Sequence, residues 1–189
     1  MPDDARADEL SSKNDSSGPI IDRRRLALGI DPGTAIMGYG LVASADDQFE
    51  LVSYGVITTP SHLPLAKRLQ LLYQQLSSII ESAQPTEVVV EELFFSRNVQ
   101  SALAVGQARG VAILAAANFD LAISEYTPLQ VKQAIVGYGR ARKEQIQEMV
   151  RLLLNMSEVP QPDDAADALA LAICHLQMSR VEHLLAEQQ

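Results

Sequence analysis

In the first half of the chain, apolar residues recur in two patterns, one typical of strands and one typical of a helix. Short apolar runs bounded by turn residues predict three successive strands, over 26–31, 37–43 and 50–58. Apolar residues at helical spacing then predict a helix over 63–82. The β-branched run "TEVVVEELFF" (86–95) predicts a fourth strand, of the kind found in the middle of a sheet that is covered on both faces.

The second half of the chain continues with helices around one further strand. An Ala- and Gly-rich helix is predicted over 101–118 and a fifth strand, "LAISEY", over 121–126. Two helices follow, over 143–156 and 163–178, separated by the helix-breaking stretch "VPQP". This order predicts an α/β domain with a mixed five-stranded sheet and helices on both faces.

The two ends of the chain differ in character from this central part. Residues 1–22 are polar and lack an apolar period, which predicts a disordered N-terminal extension. The domain is expected over 23–179, followed by a C-terminal tail over 180–189. A single cysteine, Cys174, suits a reducing compartment, and no apolar run reaches the length of a membrane span. We therefore expect a cytoplasmic protein with no membrane partner.

Charge is distributed unevenly along the chain. The net charge of −9 argues at first against a nucleic-acid partner. However, the acidic residues concentrate in the two end segments, whereas 130–151 contains five basic residues and two glutamates. An acidic protein can in this way present one positive face, although a merely solvated surface of uneven charge explains the same pattern.

Acidic residues stand where predicted elements end or begin. Asp31 ends the first strand, Glu91 follows "VVV" in the fourth, and Asp164 and Asp167 lie one turn apart at the start of the last helix. If the first and fourth strands are parallel neighbours, these side chains meet at one sheet edge. Carboxylates so close repel one another, and two divalent cations would resolve the repulsion, as in sites that hydrolyse phosphodiesters. Mg²⁺ suits such oxygen ligands, with Mn²⁺ as an alternative.

Each of these carboxylates has a simpler interpretation when taken alone. An acidic residue at a helix start is often only a cap, and Asp163 fits that description best. The stretch "GIDPGT" also looks like the phosphate loop of the actin, Hsp70 and sugar-kinase fold. That fold requires two domains around a cleft, and 189 residues leave room for one.

Six stretches of the sequence resemble, in order and spacing, the RuvC family of Holliday-junction resolvases, which are DNA endonucleases of the ribonuclease-H-like fold. They cover about residues 26–177 and read "LGIDPG" with "GYG", "VEELFFSRN", "SALAVGQARGVA", "EYTPLQVKQAIVGYGRARKEQ" and "DDAADALALAICH". The resemblance implies that the metal ligands are Asp31, Glu91, Asp164 and Asp167. It gives Glu92 no catalytic role.

The same resemblance implies which residues meet DNA. Lys132 and Lys143 correspond to lysines that hold the scissile backbone, and Phe94 to an aromatic residue that stacks on bases at the crossover. Because neighbouring strand residues face opposite sides, Phe94 and Phe95 cannot both point the same way, and we expect at least one of them to be exposed. Further DNA contacts are expected from four arginines and one asparagine: Arg97, Asn98, Arg109, Arg140 and Arg142.

The resemblance implies symmetric nicking of two strands of a four-way junction by a homodimer during recombination and repair. The helix over 101–118 is expected at the dimer interface, and a branch-migration complex of the RuvA-RuvB type is the expected protein partner. Two alternatives stay open at this point. One is a related nuclease that processes structured RNA, and the other is a junction-binding scaffold without catalysis.

Overall fold

The computed structural model describes residues 25–45, 48–92 and 99–186, so the predicted extension over 1–22 lies outside the described residues. Its centre is a five-stranded sheet in the order β3-β2-β1-β4-β5. The strands are β1 (Arg25–Asp31), β2 (Ile36–Ala45), β3 (Gln48–Thr58), β4 (Glu87–Glu91) and β5 (Ala122–Tyr126). β1, β2 and β3 pair antiparallel, whereas β4 pairs parallel with both β1 and β5. The predicted mixed sheet is confirmed, including the parallel neighbours β1 and β4.

Helices cover both faces of this sheet because the strand residues alternate between two cores. Leu28 and Ile30 pack with α1 (Leu65–Ala83) and α2 (Val99–Ala117) on one face. Ala27 and Val89 point to the other face, which carries three helices: α3 (Pro128–Val136), α4 (Lys143–Leu153) and α5 (Asp163–Ala186). Among the described residues, no helix is long and apolar enough to cross a membrane.

Glycines in β1 and β2 let α5 lie directly on the sheet. A Cβ added at Gly29 would stand 2.0 Å from the Ala168 carbonyl oxygen, and one at Gly38 would stand 2.0 Å from that of Asp164. Only residues without a side chain permit this approach. Since Gly29 contacts Ala168 while Arg25 contacts Ser179, α5 runs antiparallel to β1. The start of α5 is therefore held at the carboxyl end of β1.

A polar network holds the later part of α5, around His175 and Ser179, against the sheet. Buried His175 contacts the Glu87 carboxylate at 2.6 Å through Nε2 and the Tyr126 hydroxyl at 3.0 Å through Nδ1. Arg25 donates two further hydrogen bonds to Glu87, at 2.8 and 2.6 Å, and one to Ser179 at 2.6 Å. Burial alone raises the pKa of Glu87, but the hydrogen bonds from His175 and Arg25 outweigh it and lower the pKa to about 2. The network joins β1, β4, β5 and α5 and so fixes the register of the helix on the sheet.

The predictions missed one helix and misplaced several boundaries. The helix α3 was not predicted, and α5 continues past Met178 to Ala186, which makes 180–186 helical. β4 ends at Glu91 instead of continuing through the predicted range 86–95. Its neighbour β5 ends at Tyr126, and among the described residues the hydrogen bond from Glu92 N–H to the Tyr126 carbonyl (2.9 Å) is the last between the two segments. Residues 93–98 lie outside the described part.

Candidate active site

Two strand-end carboxylates point to the same face of the sheet. Asp31 shares the face of Ala27 because side chains alternate along β1, and Glu91 shares the face of Val89 along β4. Parallel pairing of Ile30 with Val90 puts the two carboxylates side by side at the carboxyl ends of neighbouring strands. Both are half-buried, and both face α5.

The helix α5 brings the other two predicted carboxylates to this edge. Asp164 and Asp167 lie one turn apart, both half-buried, near the N-terminal end of α5. The contact between Gly38 and the Asp164 backbone holds that end against β2, next to Asp31, whose register partner is Gly38. The structure thus brings together all four carboxylates, which come from three separate elements.

The electrostatics show that the four carboxylates interact. Burial is the main cause that raises the pKa of Asp31 to about 7. Three neighbouring carboxylates raise it further: Asp167, Glu91 and Asp164. Burial and the charge of Asp167 also raise the pKa of Glu91. The ammonium group of Lys143 opposes both shifts. Without a further cation, Asp31 would carry a proton for part of the time at neutral pH.

Three of the four carboxylates, all but Asp164, line a cleft of about 240 Å³ that both predicted lysines line as well. Its lining residues include Asp31, Glu91, Lys132, Lys143, Ile146 and Asp167. Lys143 begins α4 and donates to the Asp167 carboxylate at 2.9 Å and to Asp163 at 3.3 Å. Burial alone lowers the pKa of Lys143, but the hydrogen bonds and charges of Asp167 and Asp163 outweigh it and raise the pKa. Lys143 therefore stays protonated in the cleft.

The chemistry of this donor set fits divalent cations. All four acidic side chains offer hard oxygen ligands, and their mutual repulsion is the kind that bound Mg²⁺ relieves. Within the described ranges, no three Asp, Glu, His or Cys side chains stand close enough together to form a ready-made metal centre. Lys143 is the cation that pairs with Asp167 in this arrangement. The residues fit the metals that the sequence pattern predicts.

The structure places the predicted DNA contacts less uniformly. Arg109 forms an ion pair with Glu125, and its Nε donates to the Glu91 carbonyl at 3.2 Å, so it supports the end of β4. Arg140 and Arg142 are exposed in the segment that precedes α4. Four predicted contacts lie outside the described residues: Phe94, Phe95, Arg97 and Asn98. A direct DNA contact stays a prediction for all seven.

Two features of the site were missed in the sequence analysis. The helix α3 carries Lys132 into the cleft, and its signal is a capping box in which Thr127 and Gln130 bond reciprocally, with Pro128 at the first helical position. Asp163, predicted as a cap, instead accepts from Gln147 at 2.9 Å and from Lys143, which ties the start of α5 to α4. No local sequence pattern predicts that Asp163 contacts α4.

Comparison with known proteins adds an independent observation. Residues 27–175 match the family model described as crossover junction endodeoxyribonuclease RuvC. The chain belongs to this family. It is 59% identical over 150 residues to the RuvC of Desulfitobacterium hafniense, which covers 79% of this chain and 91% of the relative. The identity to the RuvC of Thermomicrobium roseum is 54% over 157 residues, 83% of this chain and 96% of the relative.

Solved structures agree with this assignment. T. thermophilus RuvC, solved in complex with a Holliday junction substrate, superposes with a TM-score of 0.80 at 35% identity, over 84% of this chain and 96% of that one. The yeast mitochondrial Holliday junction resolvase Ydc2 shares the fold, with a TM-score of 0.60 at 14% identity over 89% of this chain and 88% of that one. The predicted family, the ribonuclease-H-like fold and the enzyme class, a crossover junction endodeoxyribonuclease, are confirmed.

Proposed function

We propose that this enzyme resolves four-way DNA junctions by metal-dependent hydrolysis of one phosphodiester in each of two strands. One observation supports this above all others. Four carboxylates from β1, β4 and α5 gather at one edge of the sheet, where the other three all raise the pKa of Asp31, although up to 136 positions of sequence separate them. Such a cluster is costly for folding unless it serves to collect cations.

The carboxylates that would hold the metal are Asp31, Glu91, Asp164 and Asp167. Two Mg²⁺ ions per site, or Mn²⁺ in their place, fit four oxygen-donating side chains. Ions bound there would lower the pKa of water and neutralise charge on the phosphate. The carboxylates would hold these ions, and because Asp31 and Glu91 end rigid strands, the positions of the two side chains are fixed before substrate arrives.

The two lysines act on the substrate side of the cleft. Lys132 lines the cleft and has no hydrogen-bond or ion-pair partner among the described residues, so its ammonium group is free to bind a phosphate oxygen. Lys143 is protonated and already borders Asp167, so it can shift from that carboxylate to the negative charge that develops on the phosphate. Both would stabilise the transition state beside the scissile bond.

Substrate recognition is proposed to rest on backbone charge and junction shape, which implies strong salt dependence. Symmetric cleavage of two strands implies two sites, and the described part of α2 offers a surface for a homodimer. Ala108 and Ala112 pack in the core, whereas Leu103 and Leu114 are 63% and 53% exposed. A contact with a branch-migration complex of the RuvA-RuvB type, and a cytoplasmic location, stay predictions.

The variant Asp31→Asn tests the proposal directly. We expect it to bind a synthetic four-way junction with the affinity of the parent enzyme and to cut it at least a thousandfold more slowly, since a neutral amide is a poor ligand for Mg²⁺. Calorimetric titration with Mg²⁺ gives a second readout, in which binding by the variant is expected to weaken. Normal cleavage by Asp31→Asn would contradict the assignment of the site.

The two alternatives predict other outcomes in the same assay. A processing nuclease for structured RNA would cut folded RNA in preference to the junction, and a scaffold without catalysis would leave both intact. The family membership and the complete set of carboxylates favour paired, symmetric nicks in junction DNA.

A further inference from the structure

The turn that follows Asp31 is held by a chain of side-chain hydrogen bonds from the other face of the sheet. Thr59, which is 8% exposed, donates through Oγ1 to the Thr34 carbonyl at 2.6 Å and through its backbone N–H to the Ala35 carbonyl at 3.0 Å. Arg68, in the first turn of α1, donates through Nε to the same Thr59 hydroxyl at 2.8 Å. The guanidinium of Arg68 is thereby attached to the turn behind Asp31.

Most of the hydrogen-bonding capacity of Arg68 is still available. A guanidinium has five N–H groups, and within the described ranges Arg68 uses only the one on Nε. No described carboxylate lies within ion-pair distance of it, in contrast to three other arginines that are each paired with a glutamate: Arg25, Arg109 and Arg151. The half-buried side chain presents a fixed, uncompensated cation with its terminal fork free.

Arg68 is connected to the turn that follows Asp31, and Asp31 lines the cleft. Thr34 follows Asp31 by three residues, so their Cα atoms are at most about 10 Å apart. Lys132 and Lys143 belong to helices on the α5 face, whereas Arg68 belongs to α1 on the opposite face. The catalytic edge is therefore flanked by cationic groups on two sides, one of which no sequence motif indicates.

We propose that Arg68 binds a backbone phosphate of the cut strand, close to the scissile phosphodiester and on the α1 side of the cleft. The proposal rests on the function proposed above and adds a phosphate-binding position to it. Bidentate contact with a phosphate suits the free fork of an arginine anchored through Nε. The same contact links DNA binding to the turn behind Asp31, because Arg68 and the Thr34 carbonyl share the Thr59 hydroxyl.

The test measures the salt dependence of junction binding in the Asp31→Asn background, which keeps the DNA intact. We expect Arg68→Gln to weaken binding about tenfold and to lower the slope of log affinity against log salt by about one for each Arg68 in the complex. Arg68→Lys keeps the charge, so the slope should be retained while affinity falls severalfold through loss of the fork. Arg151→Gln removes the same charge from an arginine held by Glu148 on α4 and should leave the slope unchanged.

Three results would overturn the proposal: an unchanged slope in a folded Arg68→Gln variant, an Arg68→Lys variant that loses the slope of the parent, and an Arg68→Lys variant that binds with parental affinity. If Arg68→Gln does not fold, the affinity of the Lys variant decides the matter, because a contact through the guanidinium fork must weaken severalfold when the fork is replaced by an ammonium group. Failure of the proposed function would look different, since the unaltered enzyme would then neither cut the junction nor prefer it to linear duplex.

Discussion

At the scale of single residues, Asp31 carries the strongest connection between sequence and chemistry. A carboxylate that ends a buried strand is conspicuous in the sequence, because isolated burial of such a charge is unfavourable. What the sequence does not show is the burial, and after it the neighbouring carboxylates, that raise the pKa of Asp31 to about 7. Asp167 is more than a hundred positions away, and only the packing of α5 on β1 brings the two together.

This raised pKa predicts how the stability of the metal-free protein depends on pH. Asp31 in the folded chain keeps its proton up to about pH 7, whereas in the unfolded chain it loses it near pH 4, so stability falls as pH rises through that window. Asp31→Asn removes this contribution. We expect the variant in EDTA to exceed the parent by about 2 kcal/mol at pH 8, after allowing for partial exposure, and by little at pH 4.

Thermal or urea unfolding at a series of pH values measures this difference. Glu81→Gln, which changes an exposed carboxylate on α1, serves as the control and should show no such trend. Added Mg²⁺ should stabilise the parent more than Asp31→Asn at pH 8, because the cation takes over the role of the proton. A constant stability difference between parent and variant across the pH range would contradict the electrostatic account.

Arginines show the limit of residue-level prediction. The resemblance to the family implied a DNA contact for Arg109, and the structure shows this arginine of α2 in an ion pair with Glu125 of β5. Arg68 has no motif around it, and only the structure shows that its fork has no partner among the described residues. Tertiary contacts decide which basic side chains form ion pairs. The number of charges along the sequence therefore does not show which of these side chains are available to bind DNA.

At the scale of elements, the strands and most helices follow from local pattern. The apolar runs of β1 and β4 predict buried neighbours, and the glycines of β2 are visible as a motif in "GYG". The sequence does not say what those glycines serve. The structure shows that Gly29, Gly38 and Gly40 are the surface on which α5 rests, and that α5 in turn carries Asp164 and Asp167.

Gly38→Ala therefore tests whether this contact positions the site. The new Cβ would stand 2.0 Å from the Asp164 carbonyl oxygen, so the start of α5 must move away from β2. We expect a loss of stability of about 2 kcal/mol and a fall in cleavage rate of about a hundredfold, because small displacements of catalytic groups are expensive. Junction affinity should change much less, since Lys132 and Arg68 are on other helices.

Cleavage and binding assays with Gly38→Ala, alongside thermal unfolding, separate these effects. Ser78→Ala is the stability control, because Ser78 is exposed on α1, away from α5, and alanine is the better helix former by about 0.5 kcal/mol. That control should be as stable as the parent or more so. If Gly38→Ala cleaved at the parental rate, α5 would not owe its position to the glycine surface.

At the scale of the whole molecule, the homodimer stays a prediction. The resemblance to the family placed the helix over 101–118 at the dimer interface, whereas an Ala- and Gly-rich composition also suits a helix that packs tightly in the core. Four alanines of α2 do lie in the core, since Ala108, Ala112, Ala115 and Ala116 are buried. Leu103, Gly110 and Leu114 form a separate exposed stripe, seven and four residues apart along the helix.

Two exposed leucines with a glycine between them favour close contact with another helix. The α2 helix of a second chain would cover both leucines at once. We therefore expect the double variant Leu103→Lys/Leu114→Lys to be monomeric in sedimentation velocity at concentrations where the parent is a dimer. Leu152→Lys is the matched control, because Leu152 is also 55% exposed but belongs to α4. It should remain dimeric.

The consequence for catalysis follows from symmetry. A dimer carries two clefts and can cut both strands of a junction within the lifetime of one complex, whereas a monomer must bind twice. On a plasmid with an extruded cruciform, the parent and Leu152→Lys should therefore give linear product early, and the double variant should give nicked circles first. Because one chain supplies all four carboxylates and both lysines of a site, the double variant should still nick. A dimeric double variant would place the interface elsewhere, and linear product from a proven monomer would show that paired cutting does not need two copies.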